Sequence, residues 1–367
     1  MGGLMTDGCR PCVVVWAVFL LSSVMGYRPV IVVHGILDGP RQFDILAKFI
    51  NQSHPGTKVT TLALYDYISS MKPLWQQVDG FREAVRPIME SADDGVHLIC
   101  FSQGGLICRG LLATLPTHNV HSLILLSSPL AGQYGDSSYL KYFFPKFIKS
   151  RLYNFCYTTY GQRISICNYW NGKWMCHFHA NQCSAFHLIH STSFSVLFFP
   201  LDPHQRERYL KSSIYLAPLN GEIEHANSTG NFRQHGFCYP VFIRCSDDSV
   251  CLGCLCTFNS VALICVVCCC SLAAWRDSFL RIQKLVLIGG QDDGVITPWE
   301  SSIFGFYDSN ETVVEMEKQD WYLRDAFGLK TLNSEGAVVK CVVPGVHHTS
   351  WHSNLTVYKN CIDKWLT

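Results

Sequence analysis

Short apolar runs alternate along the chain with longer segments in which apolar residues recur every three or four positions. The apolar runs lie at residues 29–33, 59–64, 96–101, 123–126, 285–288 and 338–343. Runs that are apolar throughout are typical of strands buried on both faces of a parallel sheet. Helical spacing occurs at residues 73–89, and residues 104–113 and 355–365 also favour helices. The alternation predicts an α/β fold, a mainly parallel sheet with helices on both faces.

A serine lies where one of these strands should end and a helix should begin. Residues 100–104 are Cys-Phe-Ser-Gln-Gly, which departs from the G-x-S-x-G pattern of a nucleophile elbow only at its first position. The cysteine there is still fairly small, and small residues are needed because the turn is tight. We therefore predict that Ser102 is a nucleophile. The alternative is an ordinary strand-to-helix turn with a serine cap.

Two later loops carry residues that could activate this serine. Asp293 follows the strand expected at residues 285–288, and His348 follows the strand expected at residues 338–343. The order Ser, Asp, His, each after a strand, is the order of the α/β-hydrolase fold. His348 is therefore the predicted base and Asp293 the acid that orients it. The alternatives are an Asx turn at the aspartate and solvated loop histidines.

An oxyanion would need two backbone N–H donors beside the predicted nucleophile. We expect one from Gln103, the next residue in the chain. The other should come from the loop after the first strand, where Gly35 lets the chain approach closely and Ile36 supplies the N–H.

The first 26 residues predict a secretory signal peptide. Arg10 precedes an uncharged run at residues 13–24, and small residues precede a cleavage site near Gly26. The run is short for a spanning helix, and a membrane anchor is the alternative. Sequons that support passage through the secretory pathway lie at Asn51, Asn227, Asn310 and Asn354.

The region between residues 133 and 276 breaks the rhythm of strands and helices. Within a hydrolase domain of residues 27–367, we interpret about 135–230 as a cap inserted over the sheet edge. Two stretches look foreign to it. We call them the first insertion, about 173–201, and the second insertion, about 231–274, and interpret both as translated non-coding sequence from an erroneous or variant transcript.

The second insertion contains a possible membrane segment. The segment from Ser249 to Trp275 contains no charged residue and is long enough for a transmembrane helix. A single span there would separate Ser102 from Asp293 and His348, so we expect no stable membrane span. Cysteine and histidine clusters in both insertions lack the matching half of a zinc site, and no metal is expected.

Six of the 19 cysteines lie outside the signal peptide and the insertions. In an oxidising compartment, cysteines that come in sequence-adjacent pairs suggest three local disulfides, although six cysteines allow many pairings. They are Cys100, Cys108, Cys156, Cys167, Cys341 and Cys361.

These motifs together resemble the palmitoyl-protein thioesterases. The likeness covers nearly all of residues 27–367 apart from the two insertions, and the cysteine at the first elbow position matches it. The segments that carry it are residues 29–35, 80–85, 96–105, 165–170, 285–299 and 351–354. The resemblance implies hydrolysis of long-chain fatty acyl thioesters in the lysosome, without a cofactor, by Ser102, Asp293 and His348. It also implies disulfides between Cys100 and Cys108, Cys156 and Cys167, and Cys341 and Cys361.

The expected partner is therefore a fatty acyl thioester substrate. Nucleic acid is not expected, because 29 lysines and arginines balance 28 aspartates and glutamates. An oxygen-ester lipase with the same triad is one alternative. A non-functional splice or gene-model product, whose fold the insertions disrupt, is another, and a membrane-anchored interaction protein is a third. The sequence does not reveal the oligomeric state.

Overall fold

The computed structural model describes residues 26–134, 152–172, 206–223, 237–244, 250–258, 261–265 and 272–367. A six-stranded sheet, parallel throughout, forms its centre, with the order β11-β8-β4-β3-β1-β2. Its strands are β1 (Val30–Val33), β2 (Val59–Thr61), β3 (Val96–Phe101), β4 (Val120–Leu126), β8 (Lys284–Gly289) and β11 (Val338–Val342).

Further strands form two smaller antiparallel sheets. One contains β5 (Phe237–Arg244), β6 (Val250–Phe258) and β7 (Val261–Cys265), and the other contains β9 (Phe306–Tyr307) and β10 (Val313–Val314).

Helices follow most of the central strands. The α-helices are α1 (Asp44–Ser53), α2 (Leu74–Glu90), α3 (Gln103–Thr114), α4 (Leu152–Cys156), α5 (Ser165–Asn168), α6 (Arg206–Ser212), α7 (Leu216–Leu219), α8 (Leu272–Phe279), α9 (Asp320–Leu323), α10 (Leu329–Ser334) and α11 (Leu355–Val357). Single turns of 3-10 helix include Pro40–Phe43, Tyr67–Met71 and His348–Ser350.

The apolar side chains of the sheet alternate between two buried clusters, one on each face. In β1, Val30 and Val32 belong to the cluster that packs under α1 and the C-terminal helix, whereas Ile31 and Val33 face α2 and α3. Successive strand residues point to opposite faces, so a strand covered on both sides must be apolar throughout. The predicted α/β fold is confirmed.

Two predicted elements differ in detail. The strand at residues 338–343 lies at the edge of the sheet and its side chains are part-exposed or exposed, because among the described strands only β8 pairs with it. The helix expected at residues 355–365 is a short α-helix that continues as a π turn and then as a 3-10 turn.

Parts of the predicted cap lie within the described residues. The bridge between Gln133 and Trp170 and the hydrogen bond from Leu74 N to Asn168 Oδ1, 2.8 Å, attach residues 152–172 to the sheet domain. Tyr215 Oη donates to Leu106 O at 2.7 Å, which attaches the segment of α7 to the helix after the elbow.

The second insertion has strands where a transmembrane helix was the alternative. Residues 250–258 and 261–265 are β6 and β7. Among the helices that the structure describes, none is long and apolar enough to cross a bilayer. Residues 1–25 of the predicted signal peptide, the predicted first insertion and Asn227 lie outside the described residues.

Candidate active site

Ser102 lies in a strained turn between β3 and α3. Its backbone has φ 51° and ψ −125°, a conformation that non-glycine residues rarely adopt. Neighbouring glycines make room for the turn: a Cβ at Gly104 would lie 2.6 Å from the carbonyl oxygens of Val33 and His34, and one at Gly35 would lie 3.0 Å from Ser102 Cβ. The elbow predicted from residues 100–104 therefore has the geometry that its glycines imply.

His348 reaches this serine from the loop after β11. Its Nε2 lies 2.9 Å from Ser102 Oγ, which is hydrogen-bond distance. The backbone N–H of His348 donates to Asp293 O at 2.9 Å, so the two loops are tied together independently of the side chains. Its neighbour His347 is exposed and points instead to the carbonyl oxygen of Asp292, 3.1 Å away.

Asp293 completes the hydrogen-bonded chain from the loop after β8. Its Oδ2 lies 2.9 Å from His348 Nδ1, and its Oδ1 lies 3.1 Å from the same nitrogen. The backbone N–H groups of Val295 and Ile296 donate to Oδ1 at 3.0 and 2.7 Å. The three residues predicted from separate parts of the sequence therefore meet at the carboxyl edge of the sheet.

Two further side chains hold the Asp293 carboxylate, and sequence reasoning missed both. Ser127 Oγ donates to Oδ2 at 2.5 Å, and Trp351 Nε1 donates to the same oxygen at 2.7 Å. Ser127 directly follows β4, at the carboxyl edge of the sheet where the other site residues also lie. That position is a signal that could have identified it.

The surroundings of Asp293 favour its ionised form. Burial alone would raise the pKa of this carboxyl. The hydrogen bond and charge of His348, followed by the hydrogen bonds from Ser127 and Ile296, outweigh burial and lower the pKa below its usual value. A carboxylate that stays ionised can orient an imidazole and stabilise its protonated form.

The segments of the predicted oxyanion donors, Ile36 and Gln103, are held by one buried residue, Ser70. Leu37 N donates to Ser70 Oγ at 2.6 Å, and Gln103 Nε2 donates to Ser70 O at 2.8 Å. Gln77 Nε2 donates to the same carbonyl at 2.7 Å. The oxyanion roles of Ile36 and Gln103 stay predictions. Ser70 was not singled out in the sequence, because a serine in a loop gives no sign of such contacts.

A cavity opens above Ser102 and His348. Residues of the sheet domain, among them Ile36, Asp38 and Gln133, line it together with Tyr169 from residues 152–172 of the predicted cap. In the described residues there is no cluster of three or more potential metal ligands.

Disulfides join the three pairs that the resemblance implied. Cys100 and Cys108 connect β3 to α3 across the elbow. Cys156 pairs with Cys167 in the cap segment, and Cys341 in β11 pairs with Cys361 in the C-terminal helix. The first of these bridges braces the strand and helix on either side of Ser102.

The predicted glycosylation sites differ in their surroundings. Asn51 and Asn310 are exposed. Asn354 is part-buried, and its Oδ1 accepts hydrogen bonds from Thr356 N and Val357 N as the cap of α11. Glycosylation at these residues and at Asn227 stays a prediction.

Comparison with known proteins places these loops in a family. The family model described as palmitoyl protein thioesterase matches residues 29–186 and 269–348. The chain belongs to the palmitoyl protein thioesterase family. The family match thus contains Ser102, Asp293 and His348, and it leaves out most of the second insertion. The boundaries of both insertions stay predictions.

Members of this family include relatives that match over nearly the whole chain. Lysosomal thioesterase PPT2 of Rattus norvegicus is 48% identical over 93% of this chain and 88% of its own. The Homo sapiens protein of the same name is 47% identical with the same coverage. The Drosophila melanogaster PPT2 homolog is 30% identical over 94% of both chains. A solved carboxylesterase structure from Nitrososphaera gargenis covers 91% of this chain and 88% of its own at 13% identity, and its TM-score of 0.37 supports no argument.

Proposed function

We propose that this chain hydrolyses long-chain fatty acyl thioesters, such as palmitoyl-CoA or S-palmitoyl conjugates, through an acyl-enzyme on Ser102. The observation that carries the proposal is the unbroken chain of hydrogen bonds from Ser102 through His348 to Asp293, in a member of the palmitoyl protein thioesterase family.

In the first half of the reaction, His348 Nε2 takes the proton of Ser102 Oγ as the oxygen attacks the thioester carbonyl carbon. The carbon–sulfur bond then breaks, and the thiol leaves with the proton that His348 returns. In the second half, His348 takes a proton from water as the water oxygen attacks the acyl carbon, and then returns that proton to Ser102 Oγ as the bond between this oxygen and the acyl carbon breaks and the fatty acid leaves. Asp293 holds the imidazole in the required tautomer throughout.

The negative charge on the carbonyl oxygen requires donors that are in place before the reaction. We assign the backbone N–H groups of Gln103 and Ile36 to this task. Ser70 supports the assignment. It accepts hydrogen bonds from the side chain of Gln103 and from the backbone N–H of Leu37, the residue after Ile36.

A thioester suits this machinery better than an amide. A thiol has a pKa of about 8.5, so its anion leaves far more readily than an amine or alkoxide. Formation of the tetrahedral intermediate should then limit the rate, and the oxyanion donors should matter more than protonation of the leaving group. Equal rates on palmitoyl-CoA and on the matched N-palmitoyl amide would contradict this proposal.

The decisive experiment uses neighbouring residues as matched controls. We expect His348→Asn to reduce palmitoyl-CoA hydrolysis by at least about 10³-fold, and His347→Asn to retain most of the activity. A fluorophosphonate probe should label the wild type and leave Ser102→Ala unlabelled. Loss of activity in the His347 variant alone, or labelling that survives Ser102→Ala, would refute the assignment.

The same assay separates the alternatives. Faster turnover of p-nitrophenyl palmitate than of palmitoyl-CoA, after correction for intrinsic reactivity, would favour an oxygen-ester lipase. A folded chain that the fluorophosphonate does not label would favour a product without catalytic function.

We propose that this enzyme reaches the lysosome through the secretory pathway. The signal-like first 26 residues and the relatives named lysosomal thioesterase support this location. Endoglycosidase treatment of the expressed protein should increase its electrophoretic mobility if the sequons are used. Microscopy of the tagged chain should show lysosomal staining, and recovery only in the medium would show secretion instead.

A further inference from the structure

The cavity above the predicted triad has two chemically different walls. One, the polar wall, consists of Asp38, Gln42, Thr349 and His352. The other, the apolar wall, consists of Pro129, Ile166, Tyr169, Val295 and Ile296. Ser102 and His348 line the same cavity.

Contacts to neighbouring residues hold both walls in place. Beside the polar wall, Tyr67 N donates to Asp38 O at 2.8 Å, and the ring of His352 packs 4.9 Å from that of Phe43, the residue after Gln42. In the apolar wall, one glutamine links the pieces. Gln133 N donates to Tyr169 O at 2.9 Å, and Gln133 Nε2 donates to Val295 O at 3.0 Å. The two walls therefore belong to different loops, and the apolar residues Ile36, Leu37 and Phe101 complete the lining next to Ser102 and the polar wall.

Apolar contact decides where the acyl chain lies. Each methylene removed from water contributes about 0.8 kcal/mol, so a long chain binds along the apolar wall. The scissile carbonyl must lie at Ser102. The thiol portion of the substrate, which we call the head group, is then directed toward the polar wall.

Asp38 gives the polar wall its charge. It is the one carboxylate among the described lining residues, and the groups whose positive charge acts on it are the imidazoles of His34 and His348. Its Oδ1 accepts a hydrogen bond from Gly39 N at 2.9 Å. Burial lowers the pKa of His352 to about 4, so that imidazole carries no charge at neutral pH and does not balance the carboxylate.

We propose, resting on the proposed thioesterase function, that Asp38 determines head-group specificity. Its carboxylate favours thiols that carry a cation or an N–H donor close to the sulfur and disfavours thiols that carry a carboxylate or phosphate there. Coenzyme A fits this class, because an amide N–H lies two carbons from its sulfur and its phosphates lie much farther away. Attraction and repulsion of this kind decay over about 10 Å in salt, so only charges near the sulfur count.

The test compares three S-palmitoyl thioesters that share a two-carbon spacer after the sulfur and differ in the charged or neutral group beyond it. The thiols are thiocholine, N-acetylcysteamine and 3-mercaptopropionate, which carry a cation, a neutral amide and an anion. Each is presented at low mole fraction in the same nonionic detergent, and released thiol is measured near pH 7. Burial raises the pKa of Asp38, so the assay is run near neutral pH, which is well above the ordinary carboxyl pKa of about 4.

The readout is the ratio of kcat/KM for the cationic substrate to that for the anionic one. We expect Asp38→Asn to lower this ratio about tenfold relative to the wild type. Asp44→Asn removes the same charge from an exposed position on α1 outside the lining residues, and it should leave the ratio unchanged. Comparing ratios between variants cancels the intrinsic reactivity of each thioester and any general change in the triad.

A second variant adds charge without disturbing a buried group. Gln42 is exposed and belongs to the polar wall, so Gln42→Glu should raise the ratio several-fold. An unchanged ratio in both Asp38→Asn and Gln42→Glu, or an equal drop in Asp44→Asn, would overturn the inference. The neutral thioester keeps the two hypotheses apart: if the wild type does not hydrolyse it, the proposed function fails, and if hydrolysis occurs with unchanged ratios, only the role of Asp38 fails.

Discussion

The serine that supports Asp293 offers a direct test of how the predicted triad is held. Ser127→Ala removes the hydroxyl that donates to Asp293 Oδ2 at 2.5 Å and leaves the other donors, including Trp351 Nε1 at 2.7 Å, in place. Ser127 is fully buried, so no water replaces the lost donor without rearrangement. We expect the variant to fold, to lose stability at neutral pH and to turn over more slowly with little change in KM.

The magnitude follows from the charge of the acceptor. A hydrogen bond to a charged group contributes about 1.5–3 kcal/mol, which corresponds to a rise of about one to two units in the pKa of Asp293. The native pKa of this carboxyl is lowered. Its ionisation therefore contributes stability that is present above the unfolded pKa, near 4, and is lost as the pH falls through the native value. Ser127→Ala should destabilise the protein fully near pH 7, and the loss should shrink below about pH 4, as the pH falls through the native pKa of the variant and then of the wild type.

Urea unfolding of the wild type and the variant from about pH 7 down to about pH 2 measures this difference. Ser128→Ala is the matched control, since that neighbouring buried hydroxyl lies 3.5 Å from its nearest acceptor, Leu126 O, and does not reach the carboxylate. A loss of free energy of unfolding that is the same at both ends of the range would refute the reasoning. So would a loss near pH 7 that is no larger than that of the control.

Two other variants test separate parts of the structure. Ser70→Ala removes the acceptor of Leu37 N, and we expect kcat for palmitoyl-CoA to fall about tenfold with KM nearly unchanged. A rise in KM alone would contradict a role in placing the oxyanion loop, and Ser70→Thr should restore part of kcat. Burial lowers the pKa of His118 from about 6.5 to about 4, so the folded state resists protonation that the unfolded state accepts. As the pH falls from 7 to 4, the free energy of unfolding of the wild type should therefore decrease by about 3 kcal/mol more than that of His118→Gln. Parallel unfolding curves for the two proteins over that range would show that His118 is not held neutral by the fold.

The sequence predicted the central sheet because its strands are apolar on both faces. That pattern has few other interpretations when helical segments separate the runs. The positions of Ser102, Asp293 and His348 followed from the same sheet, since each lies directly after a predicted strand. Gly35 and Gly104 were the other indication of the site in the sequence. Both lie where two backbone segments approach each other too closely for a side chain.

What the sequence could not predict depends on contacts between distant residues. Ser127 and Asp293 are 166 positions apart, and nothing near either residue marks the hydrogen bond between them. Asp38 lies four residues after His34 in a polar loop, where a carboxylate is ordinary. Its meaning comes from the cavity that it lines with Gln42 and His352. The exposure of β11 was missed for a related reason, because a valine run does not show whether a second strand lies beside it.

The long connection between β4 and β8, residues 127–283, begins beside the predicted triad. β4 ends at Leu126 and its parallel neighbour β8 begins at Lys284, so the chain between them is a crossover that starts at the carboxyl edge of the sheet. Each doubling of the length of a flexible connection costs only about 0.6 kcal/mol of closure entropy, so the pairing of β4 with β8 is expected to tolerate a longer connection. A sheet of this topology can therefore retain its predicted triad while the crossover grows. Because the crossover starts beside Ser127, additions to it are expected to alter access to the cavity and substrate preference before they alter the chemistry at Ser102.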